Sequence, residues 1–449
     1  MRSIALALVI FGTIPFILAR PYLGLLVWSW LGYMNPHRLT FGFAYSFPWV
    51  MLIAIVTLVS LAVSKESKRI PSSTVSLLLV LFLLWTGFTT FFAVVPDAAW
   101  DKWQQFAKTL AMVFVTLVLV NTRERMHWLV WVIVVSLGLY GVKGGIFTIL
   151  GGGASHVLGP AGSFIGDNNS IALALCMTLP FMRYLQLHSA QKWVRVGLGV
   201  SILLTGIAIL GTYSRGGLIA LVVVAGALFM KSRGRLAVVL VVVMVGFTAY
   251  HFMPTEWTAR MATLQDASQT SSMESRLQSW KFSANVALHR PVVGGGFDVY
   301  ESAPMWTRYG PEGAIPRAVH SIYFRILGEQ GFLGLALFLG LLAASWWNCR
   351  RVRKQTRKIE GMKWAFDFAS MLQVSLVAYA VAGAALPMSY FDLSYQLVGL
   401  SALLVACSTR QLEARAIARG GQINSPAPAE APTRDAAEEP WAGARHRAS

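Results

Sequence analysis

Long apolar runs, repeated along almost the whole chain, constrain its fold more than any other feature. A helix that crosses a bilayer needs about 20 mostly apolar residues. Such runs lie near residues 3–18, 21–34, 47–63, 73–95, 105–121, 126–150, 169–187, 194–211, 216–231, 235–252, 319–347, 364–386 and 391–409. The first two are short and flank Arg20-Pro21, so they form either two thin spans or one broken element. We therefore predict an all-α polytopic membrane protein with 12 or 13 transmembrane helices.

The composition supports this interpretation. Only 13% of the residues are charged and 55% are hydrophobic, whereas soluble proteins carry about 25% charged residues. A soluble enzyme, a secreted disulfide scaffold and a disordered protein are therefore excluded as descriptions of the whole chain. Cys176, Cys349 and Cys407 lie in or beside apolar runs, with neither metal-ligand spacing nor a disulfide pattern.

The net charge of +18 would suggest a nucleic-acid ligand in a soluble protein. Here the basic residues instead fall in every second loop. They are Lys65, Lys68, Arg69, Arg123, Arg125, Lys192, Arg195, Lys231, Arg233, Arg235 and the basic run 350–363. Because basic loops stay in the cytoplasm, we expect the charge to set the topology, and we expect no nucleic-acid partner.

Two stretches fall outside this alternation. The loop 253–318 lies on the predicted periplasmic side, and ordered loops of such length are usually functional. We expect it to contain short helices and to carry the chemistry. Residues 411–449 are rich in proline, alanine and mixed charge, which predicts a disordered cytoplasmic tail. Residues 1–410 then form one membrane domain.

Several ionisable side chains lie inside the predicted spans, where they are costly unless they face a cavity. Lys108, Lys143, Arg325 and Asp392 fall toward the periplasmic ends of their spans, and Arg215 lies at a span edge. Convergence of cations on one side predicts an anionic substrate at the periplasmic surface. For Lys108 and Lys143, extension of the side chain to lipid headgroups is an alternative that stays open.

The turn 211–217 and the helix that follows it can bind an anion. Gly216 and Gly217 allow close approach of the backbone, and a helix N-terminus presents free N–H groups. Arg215 adds a planar fork that matches two phosphate oxygens. Ser214 lies in the same turn. The alternative is a tight turn whose arginine reaches lipid headgroups.

The long loop repeats this chemistry. Residues 274–280 predict an amphipathic helix with Leu277 and Trp280 one turn apart, so that Arg276 lies off these positions and can reach a substrate. The alternative is a solvated surface arginine. His320 precedes the next span and could exchange a proton near neutral pH. On a helix, His320 would share a face with Tyr323 and Phe324.

Other features of this region have simpler explanations. Arg325 and Glu329, four residues apart, could pair and offset each other's burial. His320 itself could be an interfacial histidine with a structural role. The chain has no HExxH motif, no Asp-x-Asp motif and no phosphate-binding Walker loop. We therefore expect no metal and no other cofactor, with arginine handling the phosphate.

Taken in order, these segments resemble the bacterial O-antigen ligase and O-antigen polymerase superfamily. The motifs are Ser214-Arg215-Gly216-Gly217, Ser275-Arg276-Leu277 through Trp280, Gly294-Gly295-Gly296, His320-Ser321-x-Tyr323 and Gly328-Glu329-Gln330-Gly331. Each motif alone is weak, whereas their order and common placement are specific. The N-terminal stretch and Asp167-Asn168-Asn169 also resemble the O-glycosylation ligase branch associated with exosortase systems.

The resemblance implies an inverting, metal-independent glycosyltransferase of the bacterial inner membrane. Such an enzyme moves a glycan from undecaprenyl pyrophosphate to an acceptor, here expected to be lipid A-core, at the periplasmic face. By this resemblance Arg215 and Arg276 hold the pyrophosphate, and His320 is the base that activates the acceptor hydroxyl. Secondary substrate-binding candidates are Lys108, Lys143, Arg325, Asp392, Tyr323 and Ser214. Asp392 could orient His320 or pair with a cation.

Other functions stay open from the sequence. A Wzy-type polymerase would use a second lipid-linked glycan as acceptor, and a protein O-glycan ligase would use a serine or threonine. A lipid-linked glycan transporter belongs to a different class, but transporters often show internal repeats and midplane sites, and neither is visible here. A non-catalytic assembly factor is the remaining alternative.

Overall fold

The computed structural model describes residues 2–231 and 267–423, and side chains at 2–230 and 274–417. Within these ranges all regular secondary structure is helical. The helices are α1 (Arg2–Ala19), α2 (Pro21–Met34), α3 (Phe43–Ser46), α4 (Trp49–Val63), α5 (Thr74–Phe91), α6 (Pro96–Leu119), α7 (Arg123–Leu150), α8 (Asn168–His188), α9 (Lys192–Gly211), α10 (Arg215–Lys231), α11 (Ala267–His289), α12 (Ala303–Tyr309), α13 (Ile322–Thr356), α14 (Lys363–Gly383) and α15 (Asp392–Ile423), with short 3-10 helices at Pro36–Leu39 and Val299–Glu301.

The predicted all-helical, multi-pass architecture is confirmed. In the described part of the chain, eight helices are long and apolar enough to cross a bilayer: α1, α5, α7, α8, α9, α13, α14 and α15. Helices α4 and α10 are apolar but shorter. The predicted span at 235–252 lies outside the described residues. The total of 12 or 13 crossings therefore stays a prediction.

Helices α6, α13 and α15 extend furthest beyond their predicted runs, and α13 ends at Thr356 instead of near residue 347. Helix α6 begins at Pro96, although its apolar run starts near residue 105, because a proline is favourable in the first turn and the polar residues after it are compatible with helix. Helix α15 continues to Ile423, whereas the disordered tail was predicted to begin at residue 411. Residues 411–419 are mostly strong helix formers without proline, which explains the extension. The rest of that tail, 424–449, lies outside the described residues.

The two short N-terminal runs form two separate helices. Arg20 has extended backbone between them (φ −144°, ψ 96°), and Pro21 begins α2. This is the expected effect of a proline, which disfavours helical backbone at the residue before it. Ser60 of α4 donates to the carbonyl of Ile17 at 2.7 Å, so α4 fastens the end of α1.

Helix α13 is broken at Gly331, where φ is 71° and ψ is −174°. The Phe332 amide donates to the carbonyl of Pro291 at 2.9 Å instead of continuing the helical ladder. The carbonyls of Gly328 and Glu329 accept the amides of Gly295 (2.8 Å) and Gly296 (2.9 Å). The two glycine motifs seen in the sequence thus interlock through their backbones, and they join the loop to the membrane helix.

The segment between α10 and α13 has a small core of its own. The rings of Phe282 and Trp306 stack at 4.3 Å with an interplanar angle of 8°. Val286, Val299 and Tyr309 are buried with them. This core fixes α11 and α12 against each other, and it holds α11 beside the beginning of α13.

Because of the break in α13, we expect that adding a single methyl group at Gly331 destabilises the protein. A Cβ at Gly331 would lie 2.3 Å from the carbonyl oxygen of Val292, and its backbone conformation is essentially restricted to glycine. We expect Gly331→Ala to lower the stability by at least about 2 kcal/mol. Thermal unfolding in detergent, followed by a thiol-reactive dye, reports the exposure of the buried cysteines Cys176, Cys349 and Cys407.

The matched control is Gly12→Ala in α1, where a new Cβ would meet no atom within 4 Å. Its unfolding midpoint should stay at or above that of the wild-type protein. Equal midpoints for Gly331→Ala and Gly12→Ala would contradict the role assigned to the break.

Candidate functional site

Arg215 is the first residue of α10 and its side chain is exposed. The preceding Ser214 is buried, and its hydroxyl accepts the Gly217 amide at 3.0 Å while donating to Asn169 Oδ1 at 2.8 Å. Ser214 therefore caps the helix that presents Arg215. This differs from the expected substrate contact, because both bonds of the hydroxyl are made inside the protein.

The beginning of α8 packs against this turn. Asn168 donates from its side chain to the carbonyl of Thr212 at 3.0 Å. Asp167 caps α8, since its Oδ1 accepts the amides of Asn169 (2.9 Å) and Ser170 (3.0 Å). The Asp167 carboxylate is thereby held next to the turn that carries Arg215.

Helix α11 brings Arg276 to the same place. Trp280, four residues after Arg276 and so on the same face, stacks on Phe324 of α13 at 5.1 Å and 7°. Its indole N–H also points to the His320 carbonyl at 3.4 Å. The helix predicted at residues 274–280 is present within α11. Of its two apolar residues, Trp280 packs on α13, whereas Leu277 is 47% exposed.

His320 lies in the extended segment before α13. Ser321 has extended backbone (φ −167°, ψ 129°) and its hydroxyl caps the helix, which begins at Ile322. The prediction that His320 shares a helical face with Tyr323 and Phe324 is therefore wrong. The hydroxyl of Tyr323 donates to the Ala380 carbonyl at 2.8 Å, so it joins α13 to α14 and is not free for a substrate.

The charges of Arg215, Arg276, His320 and Asp167 act on one another. Burial and the positive charge of Arg215 lower the pKa of the half-buried Arg276. Burial and the charge of Arg276 lower the pKa of His320, and the Asp167 carboxylate opposes this shift. Among the described residues neither arginine forms an ion pair with a carboxylate. The three residues predicted to carry the chemistry are thus close enough for their charges to act on one another.

Arg325 has a different place from the one expected. Its guanidinium donates to Asp298 Oδ1 at 2.8 Å and to Glu329 Oε1 at 3.0 Å. Tyr390 donates to the other oxygen of Glu329 at 2.5 Å. The pairing of Arg325 with Glu329 suggested by the sequence is present. Two carboxylates therefore neutralise Arg325, and the pair with Asp298 joins the loop to α13.

The remaining candidates belong to other helices. Lys108 on α6 and Lys143 on α7 are exposed. Asp392 begins α15 and accepts the amide of Leu393 at 2.7 Å, while its other oxygen lies against the backbone of α2 at Gly32. Asp167, not Asp392, is the carboxylate whose charge reaches His320. The motif of residues 167–169 singled out Asp167 in the sequence. Nothing in the sequence indicated that its charge would act on His320.

In residues 2–231 and 267–423, no group of three or more His, Cys, Asp or Glu side chains is placed to hold a metal ion.

Comparison with known families covers most of the chain. Residues 200–339 match the O-antigen ligase family, and residues 1–190 match a family of unknown function, DUF5935. The O-antigen ligase match covers 140 of the 449 residues. The resemblance to the O-antigen ligase and polymerase superfamily is confirmed, and Arg215, Arg276 and His320 all lie inside the matched domain. No curated protein matches the chain.

The charges around His320 predict that Arg276→Gln and Asp167→Asn shift its pKa in opposite directions. Arg276→Gln removes a positive charge that lowers the pKa of His320, so this pKa should rise. Asp167→Asn removes the opposing negative charge, so the pKa should fall further, while asparagine still caps α8. Modification of His320 by diethyl pyrocarbonate, which reacts with the neutral ring, is followed against pH by mass spectrometry of its peptide.

His289 on the exposed part of α11 serves as an internal reference in the same digest. Its modification profile should not move in either variant. A His320 profile that stays fixed in both variants, or moves the same way in both, would contradict the arrangement.

Proposed function

We propose that this protein is an inverting, metal-independent glycosyltransferase of the O-antigen ligase type. It would transfer a glycan from undecaprenyl pyrophosphate to an acceptor, with lipid A-core the acceptor we favour, at the periplasmic face of the inner membrane. The observation that carries the proposal is the convergence of Arg215, Arg276 and His320 inside an O-antigen ligase domain.

The donor diphosphate would lie between the two arginines. Arg215 belongs to the first turn of α10, where free amide groups and the helix dipole also favour an anion. Arg276 approaches from α11. Two guanidinium groups can each offer paired N–H donors to the phosphate oxygens. As the bond between the anomeric carbon and the diphosphate oxygen breaks, these groups stabilise the negative charge that develops on the leaving diphosphate.

His320 would act on the acceptor. Its lowered pKa leaves the imidazole neutral near pH 7, which is the form that accepts a proton. The ring would take the proton of the acceptor hydroxyl while the oxygen attacks the anomeric carbon opposite the diphosphate. One carbon–oxygen bond forms as the other breaks, and undecaprenyl diphosphate leaves. Attack from the opposite side inverts the anomeric configuration.

The orientation of the protein supports this assignment. The basic loops fall at one end of the apolar helices, which the positive-inside rule assigns to the cytoplasm. Arg215 and His320 lie at the other ends of their helices and so face the periplasm in this topology. The C-terminus is then cytoplasmic, and the apolar outer faces of the helices would accept the polyprenyl chain.

The test is transfer by the purified protein. The reaction contains a defined glycan on a polyprenyl diphosphate, EDTA, and one acceptor at a time: lipid A-core, a second lipid-linked glycan, or a serine- and threonine-containing peptide. Transfer to lipid A-core in EDTA is the expected result. Transfer only to the second glycan would instead identify a polymerase, and transfer only to the peptide a protein ligase. Absence of transfer to all three would contradict the proposal.

The arginines predict a defined loss of activity. Arg215→Ala and Arg276→Ala should each lower kcat/KM by on the order of 100-fold or more, because each removes a donor to the developing charge. Arg308→Ala is the matched control, since Arg308 is an exposed arginine of the same outer segment. Full turnover by Arg276→Ala, or an equal loss in Arg308→Ala, would remove the role assigned to these residues.

A further inference from the structure

A groove runs between α8 and α9 at the end of the helices opposite to Arg215. It is shallow and open to its surroundings, with a volume of about 570 Å³, and it is lined by Gln186, Lys192, Arg195, Val196, Gly199 and Val200. Helix α9 runs from Lys192 to Gly211, about 30 Å at 1.5 Å per residue. The groove therefore lies at the other membrane surface from the candidate active site, on the side predicted to be cytoplasmic.

The side-chain amide of Gln186 lines the groove and is held by two hydrogen bonds. Gln186 accepts from Arg183 Nη1 at 2.5 Å and donates to the Arg195 carbonyl at 2.9 Å. Gly199 lets this amide pack closely against α9, because a Cβ there would lie only 2.9 Å from Gln186 Nε2. The position of the Gln186 amide thus depends on a glycine in the middle of α9.

Along α9, the cations of the groove come first, in the first turn of the helix, and the apolar side chains follow toward its middle. Lys192 and Arg195 occupy the first turn of α9 and are exposed, and neither forms an ion pair with a carboxylate of the described residues. Val196 (58% exposed) and Val200 (51%) follow along the helix. Trp193, 73% exposed beside the cations, marks the level of the lipid headgroups, where tryptophan is enriched.

We propose that this groove binds an anionic phospholipid. The lipid phosphate would lie on Lys192 and Arg195, and an acyl chain would follow Val196 and Val200 over Gly199. Charge complementarity selects a lipid with net negative charge, because the ammonium of a zwitterionic lipid would compete with the two cations for the phosphate. The order of cations before apolar residues matches the order of headgroup before acyl chain.

Native mass spectrometry and thermal unfolding of the full-length protein in detergent test this site. Phosphatidylglycerol is added, and phosphatidylcholine at the same concentration is the reference lipid. For the wild-type protein we expect retention of phosphatidylglycerol in preference to phosphatidylcholine, and an unfolding midpoint that phosphatidylglycerol raises by a few degrees more. Lys192→Gln with Arg195→Gln should abolish both differences.

Two further variants distinguish lipid binding in the groove from general attraction of anionic lipid to surface cations. Lys65→Gln with Arg69→Gln removes two exposed cations from another predicted cytoplasmic loop, and it should keep the full preference. Gly199→Leu keeps the cations but fills the groove, and it should lose the preference. Equal losses in the Lys65 and Lys192 double variants would overturn the proposal, as would full retention in Gly199→Leu.

A free anion distinguishes a lipid site from a simple phosphate site. Glycerol 3-phosphate carries the same phosphate without acyl chains, so it should not raise the unfolding midpoint of the wild-type protein at the lipid concentration used. An equal rise with glycerol 3-phosphate would show a headgroup-only anion site and would overturn the lipid assignment.

Discussion

Two positive charges that act on each other are the arrangement on which the candidate site depends. Burial, and to a smaller extent the positive charge of Arg215, lower the pKa of Arg276. Like charges repel, and an anion between the two groups relieves the repulsion. A diphosphate supplies that anion, and it gains further charge as it leaves the sugar. The charge arrangement and the proposed reaction are therefore complementary.

The repulsion is tolerated because the two arginines are held by separate supports. Ser214 caps the helix that presents Arg215, and Trp280 fastens the helix that presents Arg276 to Phe324. Trp280 also lies against the His320 carbonyl, so the cation and the proposed base are positioned by one side chain. These supports rest in turn on the break in α13, where the loop glycines replace the missing helical hydrogen bonds.

Most of the membrane helices were predictable from the sequence because the hydrocarbon core of a bilayer permits few backbone conformations. A backbone in hydrocarbon must satisfy its own hydrogen bonds, so an apolar run of sufficient length becomes a helix. The ends of α2, α7, α8 and α9 agree closely with the apolar runs. The convergence of Arg215, Arg276 and His320 was predictable only from the order of the family motifs, since these residues are far apart in the chain.

The remaining features depend on contacts that a linear sequence does not reveal. Arg325 was expected to meet a substrate, but Asp298 folds back from the loop and neutralises it together with Glu329. Asp392 could orient His320 or pair with a cation by its sequence position, but the carboxylate whose charge acts on His320 is Asp167, at the cap of α8. His320 was expected on a helix, but the Ser321 cap starts α13 only after it. In each case the surroundings of the residue are set by a part of the chain outside its own motif.

The most direct measurement is a double-mutant cycle on diphosphate binding. The affinity of a short-chain polyprenyl diphosphate is measured by calorimetry for the wild-type protein, Arg215→Gln, Arg276→Gln and the double variant. If both guanidinium groups hold one diphosphate, the two losses will be non-additive, with a coupling energy of about 0.5–3 kcal/mol. Additive losses, or unchanged affinity in either single variant, would contradict the shared site.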